Sequence, residues 1–512
     1  MAFEPKTGLS KSKYTNFCKC PKNLWLNTYR PDLAEISASA QKRFEIGNQV
    51  GDLAMKIFGD FVEVTTYVDN SPEKGLDYSA MIQKTKECLA NNVQNICEAS
   101  FSYEGCYCAV DILRKTEIGY EIYEVKSSSD SKDEMSKMQC YAQDIALQKY
   151  VLEHCGIHVV GTYLVRINHE YVLEGDLDVK RLFSIKDMSE YVASEYAHIE
   201  ENIQKARQTL SSETEPQVPI SKSCSSPYDC NFWGYCTSQM PKPSVLDLYD
   251  DRRGVRWQCI QQGRYEFSEL RNERLNDVQR MIVDCTIENR EHIDKHQLQE
   301  FISGLTYPLY FFDFESVQPT VPVFQNTRPY QQIPFQYSLH IQNEPGAAPT
   351  HKEFLAESGE NPLRKIAESI CRDIPRDACV VAYNMNFEKA RLKELASMFP
   401  DLSEHLMNIH DHIKDLLEPF KKGFCYMPAM NNSFSIKSVL PALFPNDPEL
   451  DYHNLDGVHN GVEASDIFLK IKDMSPEDAA RTRQNLLDYC GLDTFALVKV
   501  LDKLWEISDK RV

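Results

Sequence analysis

The chain has 512 residues, with 76 acidic and 56 basic side chains and a formal net charge of −20 at pH 7. Its length predicts more than one domain, and a hydrophobic content of 42% excludes a collagenous, low-complexity or wholly disordered protein. The acidic excess disfavours a protein that passively coats nucleic acid, because such proteins usually carry a basic excess. It leaves a nuclease open, since metal-binding carboxylates make nuclease sites acidic.

The sequence predicts a cytoplasmic protein with no membrane partner. No apolar run approaches the roughly 18 residues that a membrane span needs, and residues 1–17 lack the apolar stretch of a secretory signal. The 17 cysteines are odd in number, so thiols, metal ligands or cluster ligands are expected rather than a disulfide framework.

The first 240 residues have the pattern of a mixed α/β domain. Helices are predicted over residues 35–58 and 72–96, and β-rich runs over 101–115 and 119–128. A helix over 136–155, a buried strand over 158–167 and a polar helix near 180–211 follow. A loop-like segment with Pro, Ser and three Cys then predicts the end of the domain near residue 240.

Two acids and a lysine in these strands form the first candidate site. Side chains alternate along a strand, so Glu124 and Lys126 project to one face, where both can meet Asp111 across a hairpin. Two carboxylates can hold Mg²⁺ or Mn²⁺, and a neighbouring lysine can stabilise charge on a scissile phosphate. The alternative is a solvated edge strand with an ion pair.

Residues 8–240 resemble the RecB-like branch of the PD-(D/E)xK nucleases, particularly the CRISPR-associated members. In that family an Asp ends one strand and Glu-x-Lys lies on the next, as Asp111, Glu124 and Lys126 do here. The resemblance implies a restriction-endonuclease-like αβ fold in which these residues are catalytic and both acids bind metal. The sequence departs from the family pattern at Asp144–Gln148, where Gln-x-x-x-Tyr is usual, and at Gly47–Gly51, where a His is usual.

Those relatives enclose the nuclease core with an iron–sulfur cluster bound by one early and three late cysteines. The resemblance therefore implies a ligand set of Cys20, Cys224, Cys230 and Cys236. Four thiolates suit either a [4Fe-4S] cluster or Zn²⁺, and ordinary buried cysteines are the remaining alternative. Cys18 competes with Cys20 as the early ligand.

A charged, helix-leaning stretch over residues 241–303 predicts a helical connector, and a second α/β domain is predicted over 304–512. Its predicted strands lie at 307–316, 334–342 and 378–384, and its predicted helices at 361–371, 386–399 and 476–505.

The second domain contains the second candidate site. Asp313 and Glu315 flank Phe314 on a strand and therefore share a face, while Glu388 enters at the start of a helix. Tyr489 and Asp493 lie one helical turn apart. If these side chains converge, four carboxylates and a phenol form a metal site; otherwise the acids cap a strand and the tyrosine packs in a helix.

The order Asp-x-Glu, Asn-x-x-Phe-acid and Tyr-x-x-x-Asp resembles the tyrosine subtype of the DnaQ-like DEDD exonucleases, which have a ribonuclease H-like fold. The resemblance implies that Asp313 bridges two Mg²⁺ or Mn²⁺ ions and that Glu315 ligates one of them and helps place the water. Glu388 and Asp493 complete the site, and Tyr489 orients or deprotonates the attacking water. Glu388 departs from the pattern, in which Asp is usual.

Both halves together resemble a family known only as a domain of unknown function, number 2779, through CPKNLWL, FFDFES, YNMNFEKARLKELA and YCGLDT. The leading hypothesis is a metal-dependent nuclease that acts on DNA ends or single strands, with the C-terminal site trimming 3′ ends. One alternative is a 3′-5′ exonuclease that acts on RNA. Another is a non-catalytic nucleic-acid-binding adaptor with a decayed N-terminal site.

Overall fold

The computed structural model describes residues 3–4 and 7–509, and the chain divides into two compact units, both of mixed α/β structure. The first unit comprises Met1–Gln239 and Thr320–Tyr330, and the second comprises Met240–Pro319 and Gln331–Val512. No helix in the described ranges combines the length and apolarity that a bilayer crossing needs.

Two predicted boundaries differ from these units. Residues 241–303, predicted as a connector, belong to the second unit, because Ile282, Leu298 and Ile302 share a buried core with Leu309 and Phe311. The segment Thr320–Tyr330, predicted within the second domain, belongs to the first unit. There the Leu173 backbone N–H donates to the Thr327 carbonyl oxygen at 3.1 Å.

The first unit is built on one mixed sheet of order β2-β3-β4-β5-β6-β7, with β1 paired to β4. Strands β3, β4 and β5 are antiparallel neighbours, β6 is parallel to β5, and β7 is antiparallel to β6. The strands are β1 Leu9–Ser10, β2 Val62–Glu63, β3 Asn95–Tyr103, β4 Cys106–Lys115, β5 Tyr120–Ser129, β6 Val159–Ile167 and β7 Phe183–Asp187.

The helices of the first unit cover this sheet. They are α1 Lys11–Lys19, α2 Pro21–Tyr29, α3 Ala38–Ala54, α4 Tyr78–Ala90, α5 Met135–His154, α6 Val179–Leu182, α7 Ser189–Tyr196, α8 Ile199–Leu210 and α9 Trp233–Thr237. The buried side of α5, including Tyr141, Ile145 and Leu152, packs in the main core. The single helix predicted near 180–211 is wrong, because β7 interrupts it as a short strand that pairs with β6.

The second unit has a five-stranded sheet of order β11-β10-β9-β12-β13. Strands β9, β10 and β11 form an antiparallel meander, whereas β12 is parallel to β9 and β13 is parallel to β12. A separate pair joins β8 and β14. The strands are β8 His292–Ile293, β9 Leu309–Val317, β10 Ile333–Gln342, β11 Thr350–Leu355, β12 Cys379–Ala382, β13 Ile413–Asp415 and β14 Cys425–Tyr426.

The helices of the second unit include the long C-terminal helix that was predicted. They are α10 Val255–Gln261, α11 Asp277–Glu288, α12 Lys295–Ser303, α13 Leu363–Asp373, α14 Asn386–Met398, α15 Ser403–Asp411, α16 Glu418–Lys421, α17 Ile436–Leu443, α18 Gly461–Lys470 and α19 Pro476–Asp509.

The register of β9 and β12 places the predicted acids at one edge of the sheet. The pairing of β12 with β9 ends where Val381 faces Phe311, so Asp313 lies just beyond the end of β12. Helix α14 begins four residues after β12 and carries Glu388 in its first turn. The chain direction of parallel strands therefore brings Glu388 towards Asp313.

Candidate functional site

Three carboxylates of the second unit converge to the spacing of a metal site. One oxygen each from Asp313, Glu315 and Asp493 lies within 4.8 Å of the other two. Asp313 and Glu315 share a face of β9, and α19 packs against β9 and β10 and supplies Asp493. Carboxylate oxygens in this number suit one or more hard divalent cations such as Mg²⁺ or Mn²⁺.

Glu388, the fourth predicted acid, is not among the three carboxylates that lie within 4.8 Å of one another, but it is buried near them. Its side chain is only 2% exposed, and its Oε2 atom has no hydrogen-bond partner among the described residues. Buried carboxylate oxygens are normally paired, so an orphan oxygen beside other acids calls for a ligand. Burial, followed by the charge of Asp313, raises the pKa of Glu388 well above its usual value.

The other acids are also hard to ionise without a metal. Burial raises the pKa of Asp313 to about 6, and burial with the charge of Asp313 raises that of Asp493 to about 7. Burial and the charges of the same two acids raise the pKa of Glu315 well above its usual value, against the opposing charge of Lys437. A divalent cation would favour the charged forms and displace the protons.

Two tyrosines contact this cluster, and only one was predicted. Tyr489 is buried, and the charge of Asp493 acts on its phenol and raises its pKa, after burial itself. The Tyr452 hydroxyl donates to Asp493 Oδ1 at 2.6 Å, and the two rings lie 6.0 Å apart. Burial, with the charge of Asp493, raises the pKa of both phenols, so both keep their protons. Sequence analysis did not find Tyr452, because no helix or strand periodicity relates its position to the motif residues.

The raised pKa values make a prediction about stability without metal. Asp493 has a folded pKa of about 7, against about 3.9 in an unfolded chain. Between these pH values the folded state binds more protons than the unfolded state. The contribution of protonated Asp493 to the free energy of unfolding is therefore fully present below about pH 4 and is lost as pH rises through about 7. In EDTA, we expect the free energy of unfolding to fall by roughly 2 kcal/mol more in the parent than in Asp493→Asn between about pH 5 and 8.

Denaturant unfolding measured at several pH values checks this expectation. Asp488→Asn is the matched control, because Asp488 is an exposed carboxylate on the same helix. Parallel pH profiles for the parent and Asp493→Asn would contradict the account.

The first unit also brings its predicted residues together. Asp111 Oδ2 accepts a hydrogen bond from the Val125 backbone N–H at 2.7 Å. Lys126 Nζ lies 2.5 Å from Glu124 Oε1 and 2.9 Å from Asp144 Oδ2. Gln148 Nε2 donates to Glu124 Oε2 at 2.7 Å. Asp144 and Gln148, which depart from the family signature, are therefore part of the same constellation.

A second lysine in this constellation was missed by sequence analysis. Lys11, the first residue of α1, places Nζ 3.2 Å from both Glu124 oxygens, 3.5 Å from Asp111 Oδ1 and 3.7 Å from Asp144 Oδ1. Although burial opposes it, the charges of Lys11 and Lys126 hold the pKa of Glu124 below its usual range. Two ammonium groups thus lie among the carboxylates of Asp111, Glu124 and Asp144 and offset part of their charge. Metal binding by Asp111 and Glu124 stays a prediction.

The four predicted cysteines line a single cavity of the first unit. Cys20 precedes α2, and Cys224, Cys230 and Cys236 come from the segment around α9. Asn23 Nδ2 donates to Cys230 Sγ at 3.2 Å. Burial raises the pKa of the Cys20 thiol, and the charges of Cys224 and Cys230 act in the same direction.

The competing early ligand lies elsewhere. Burial raises the pKa of Cys18 to about 12, and the groups that act on it are Tyr14, Glu195 and Cys140 rather than the other three predicted ligands. Across the described ranges, the only group of three or more His, Cys, Asp or Glu close enough to share one ion is the carboxylate cluster. The nature of a group held by the four thiols stays a prediction.

A family described as "Domain of unknown function (DUF2779)" matches residues 310–435 of the chain. Both acids of β9 lie within this match. It also includes Glu388 at the start of α14 and ends before Tyr489 and Asp493.

Two curated proteins are similar to parts of the chain. Uncharacterized protein MG366 of Mycoplasma genitalium is 23% identical over 209 residues, which cover 37% of this chain and 31% of that protein. Uncharacterized protein UU173 of Ureaplasma parvum serovar 3 is 24% identical over 159 residues, which cover 28% of this chain and 22% of that protein. The chain thus spans less than a third of the length of these relatives. No solved structure matches.

Proposed function

We propose that the protein is a metal-dependent nuclease whose second unit hydrolyses phosphodiester bonds of a DNA strand. The observation that carries this proposal is the convergence of Asp313, Glu315 and Asp493 beside the buried, unpartnered oxygen of Glu388. Acids gathered at this spacing from distant parts of the chain are typical of sites that bind Mg²⁺ or Mn²⁺.

The sheet of the second unit supports a ribonuclease H-like, DnaQ-like fold for this nuclease. An antiparallel meander of three strands is extended by two parallel strands, and the acids lie at the edge where β12 ends. The order of Asp-x-Glu, Glu388 and Tyr-x-x-x-Asp along the chain supports the same assignment. In the first unit, Asp111 on β4 and Glu-x-Lys on β5 support a PD-(D/E)xK-like fold.

The residues around the cluster have separable roles in this proposal. The divalent cation would be held by Asp313, Glu315, Glu388 and Asp493. Its positive charge would offset the negative charge that develops on the scissile phosphate. Tyr489, which keeps its proton, donates a hydrogen bond that orients the attacking water. Tyr452 fixes one oxygen of Asp493, and Lys437 adds a positive charge on the same side.

A strand-shortening assay tests the proposal. Single-stranded DNA labelled at either end is incubated with the protein and Mg²⁺ or Mn²⁺, with EDTA as the negative control. A 3′-5′ exonuclease shortens the 5′-labelled strand stepwise and releases a labelled mononucleotide from the 3′-labelled strand at once. RNA strands in the same assay separate the RNA alternative. Tight strand binding without cleavage under any divalent metal would contradict the proposal and favour an adaptor.

The two tyrosines are expected to differ in their kinetic effect. Tyr489→Phe removes the water-orienting hydroxyl, and we expect kcat to fall about 100-fold with little change in KM. Tyr452→Phe frees Asp493 and is expected to raise the Mn²⁺ concentration needed for half-maximal rate, with a smaller loss at saturating Mn²⁺. Tyr310→Phe is the control, because Tyr310 lies on β9 with its side chain on the opposite face from Asp313. Equal effects of the two active-site changes would contradict these roles.

In the first unit we propose a [4Fe-4S] cluster held by Cys20, Cys224, Cys230 and Cys236. Their shared cavity supports a common ligand set, and the resemblance of the first unit to iron–sulfur nucleases favours the cluster over Zn²⁺. The cluster would join the start of α2 to the segment around α9 and stabilise the fold.

A further inference from the structure

A small polar cavity of the first unit has no part in the proposed hydrolysis. It has a volume of about 160 Å³ and lies among the segment that follows β5, the start of α5 and β6. Hydroxyl groups and cations dominate its lining, which consists of Ser128, Ser129, Ser131, Lys132, Glu134, Lys137, Met138, Tyr141 and Arg166.

Arg166 is the buried cation in the lining of this cavity. Its side chain is 5% exposed, yet Nε has no hydrogen-bond partner in the part of the chain that the structure describes. The remaining guanidinium nitrogens donate to Asp133 Oδ1 at 2.8 Å and to the Lys132 carbonyl oxygen at 3.3 Å. A buried guanidinium donor without an acceptor is unfavourable, and a phosphate oxygen matches its geometry and charge.

The charges around the cavity favour an anion. The lining has three cations, of which Lys137 pairs with Glu134 at 3.0 Å and Arg166 with Asp133 at 2.8 Å. Among the described residues this leaves the charge of Lys132 without an ion pair. The 20-residue helix α5 begins here, and no side chain caps its first turn. Its free backbone N–H groups and helix dipole add to the attraction for negative charge.

The cavity adjoins the constellation of Asp111, Glu124 and Lys126. Ser128 lies two residues beyond Lys126 on β5, and the Tyr141 hydroxyl donates to Ser128 Oγ at 3.3 Å. Lys126 Nζ in turn lies 5.7 Å from the centre of the Tyr141 ring. A ligand in the cavity is therefore next to the side chains that were predicted to contact a strand.

We propose that this cavity binds a phosphate group of a nucleic-acid strand and so makes the first unit a strand-gripping module. The proposal rests on the nucleic-acid partner of the proposed function but needs no hydrolysis. Phosphate contacts of this kind fix the position of a strand without reading its sequence. They also make the affinity fall as salt concentration rises.

Strand binding in EDTA tests the proposal while both units are unable to cleave with metal. Fluorescence anisotropy of a labelled single-stranded DNA oligonucleotide is measured with the full-length parent, Lys132→Gln and Arg166→Gln. For each variant we expect Kd to rise about 5- to 10-fold at low salt, and the slope of log affinity against log salt to shrink by about 0.7. Lys132 is exposed, so its variant keeps the test valid if Arg166→Gln does not fold.

Lys186→Gln is the matched control. Lys186 pairs with the same Asp133, at 2.9 Å, but does not line the cavity, so its Kd is expected to stay within about 2-fold of the parent. Parent-like affinity and salt slope for Lys132→Gln would overturn the proposal. In that case, stabilisation of the parent but not of Lys132→Gln by inorganic phosphate would identify a small-anion site instead. If the protein cleaves nothing yet Lys132→Gln weakens binding, the phosphate site stands and the proposed hydrolysis fails.

Discussion

Asp313→Asn is expected to lower the hydrolysis of labelled single-stranded DNA by at least about 1000-fold. Asp313 supplies one of the three carboxylate oxygens of the cluster, and its charge also acts on Glu388. The change removes one unit of negative charge and one ligand while keeping the size of the side chain. A loss of about 4 kcal/mol of transition-state stabilisation corresponds to this factor.

The matched control is Asp488→Asn, which changes an exposed acid one residue before Tyr489. Asp488 accepts a hydrogen bond from Gln484 Nε2 at 2.8 Å and has no contact with the cluster, so we expect a rate within about 2-fold of the parent. Asp111→Asn distinguishes the contribution of the first unit from that of the second. It is expected to leave the rate of phosphodiester hydrolysis by the second unit unchanged. A fully active Asp313→Asn protein would show that the second unit is not the source of hydrolysis.

Cys20→Ser is expected to abolish iron binding and to lower the thermal stability of the protein. Cys20 is the one proposed ligand that precedes the core of the first unit, so its loss opens the connection to the segment around α9. Loss of a structural metal group removes the binding free energy that it adds to folding. The measurements are iron content, absorbance at roughly 400 nm and thermal unfolding of protein purified without oxygen.

Cys18→Ser provides the control for this change, because Cys18 is two residues away and contacts Tyr14 rather than the other thiols. It is expected to keep parent-like iron content. Loss of iron from Cys18→Ser but not from Cys20→Ser would reverse the ligand assignment. Stoichiometric zinc without iron in the parent would replace the cluster by a zinc site.

The residues of the second site could be predicted because local geometry relates them in pairs. Strand alternation places Asp313 and Glu315 on one face, and the helical repeat does the same for Tyr489 and Asp493. The position of Glu388 follows from a helix that begins soon after a parallel strand. Resemblance to a known motif then gave the order in which these pairs combine.

The other contacts could not be predicted from spacing. Tyr452, Lys11 and Arg166 reach their sites from a short 3-10 helix, from the first residue of a helix and from near the end of a strand. Each is fixed by tertiary packing between segments far apart in the chain, which no local pattern encodes. The same holds for Thr320–Tyr330, whose place in the first unit depends on backbone hydrogen bonds with Leu173.

A crystal structure of the protein soaked in Mn²⁺ tests whether the carboxylate cluster of the second unit binds a divalent cation. The anomalous signal of manganese identifies the ion without reference to activity. We expect a strong peak within bonding distance, about 2.2 Å, of carboxylate oxygens from Asp313, Glu315 and Asp493. No peak at this cluster at saturating Mn²⁺, or peaks only at surface acids, would contradict it.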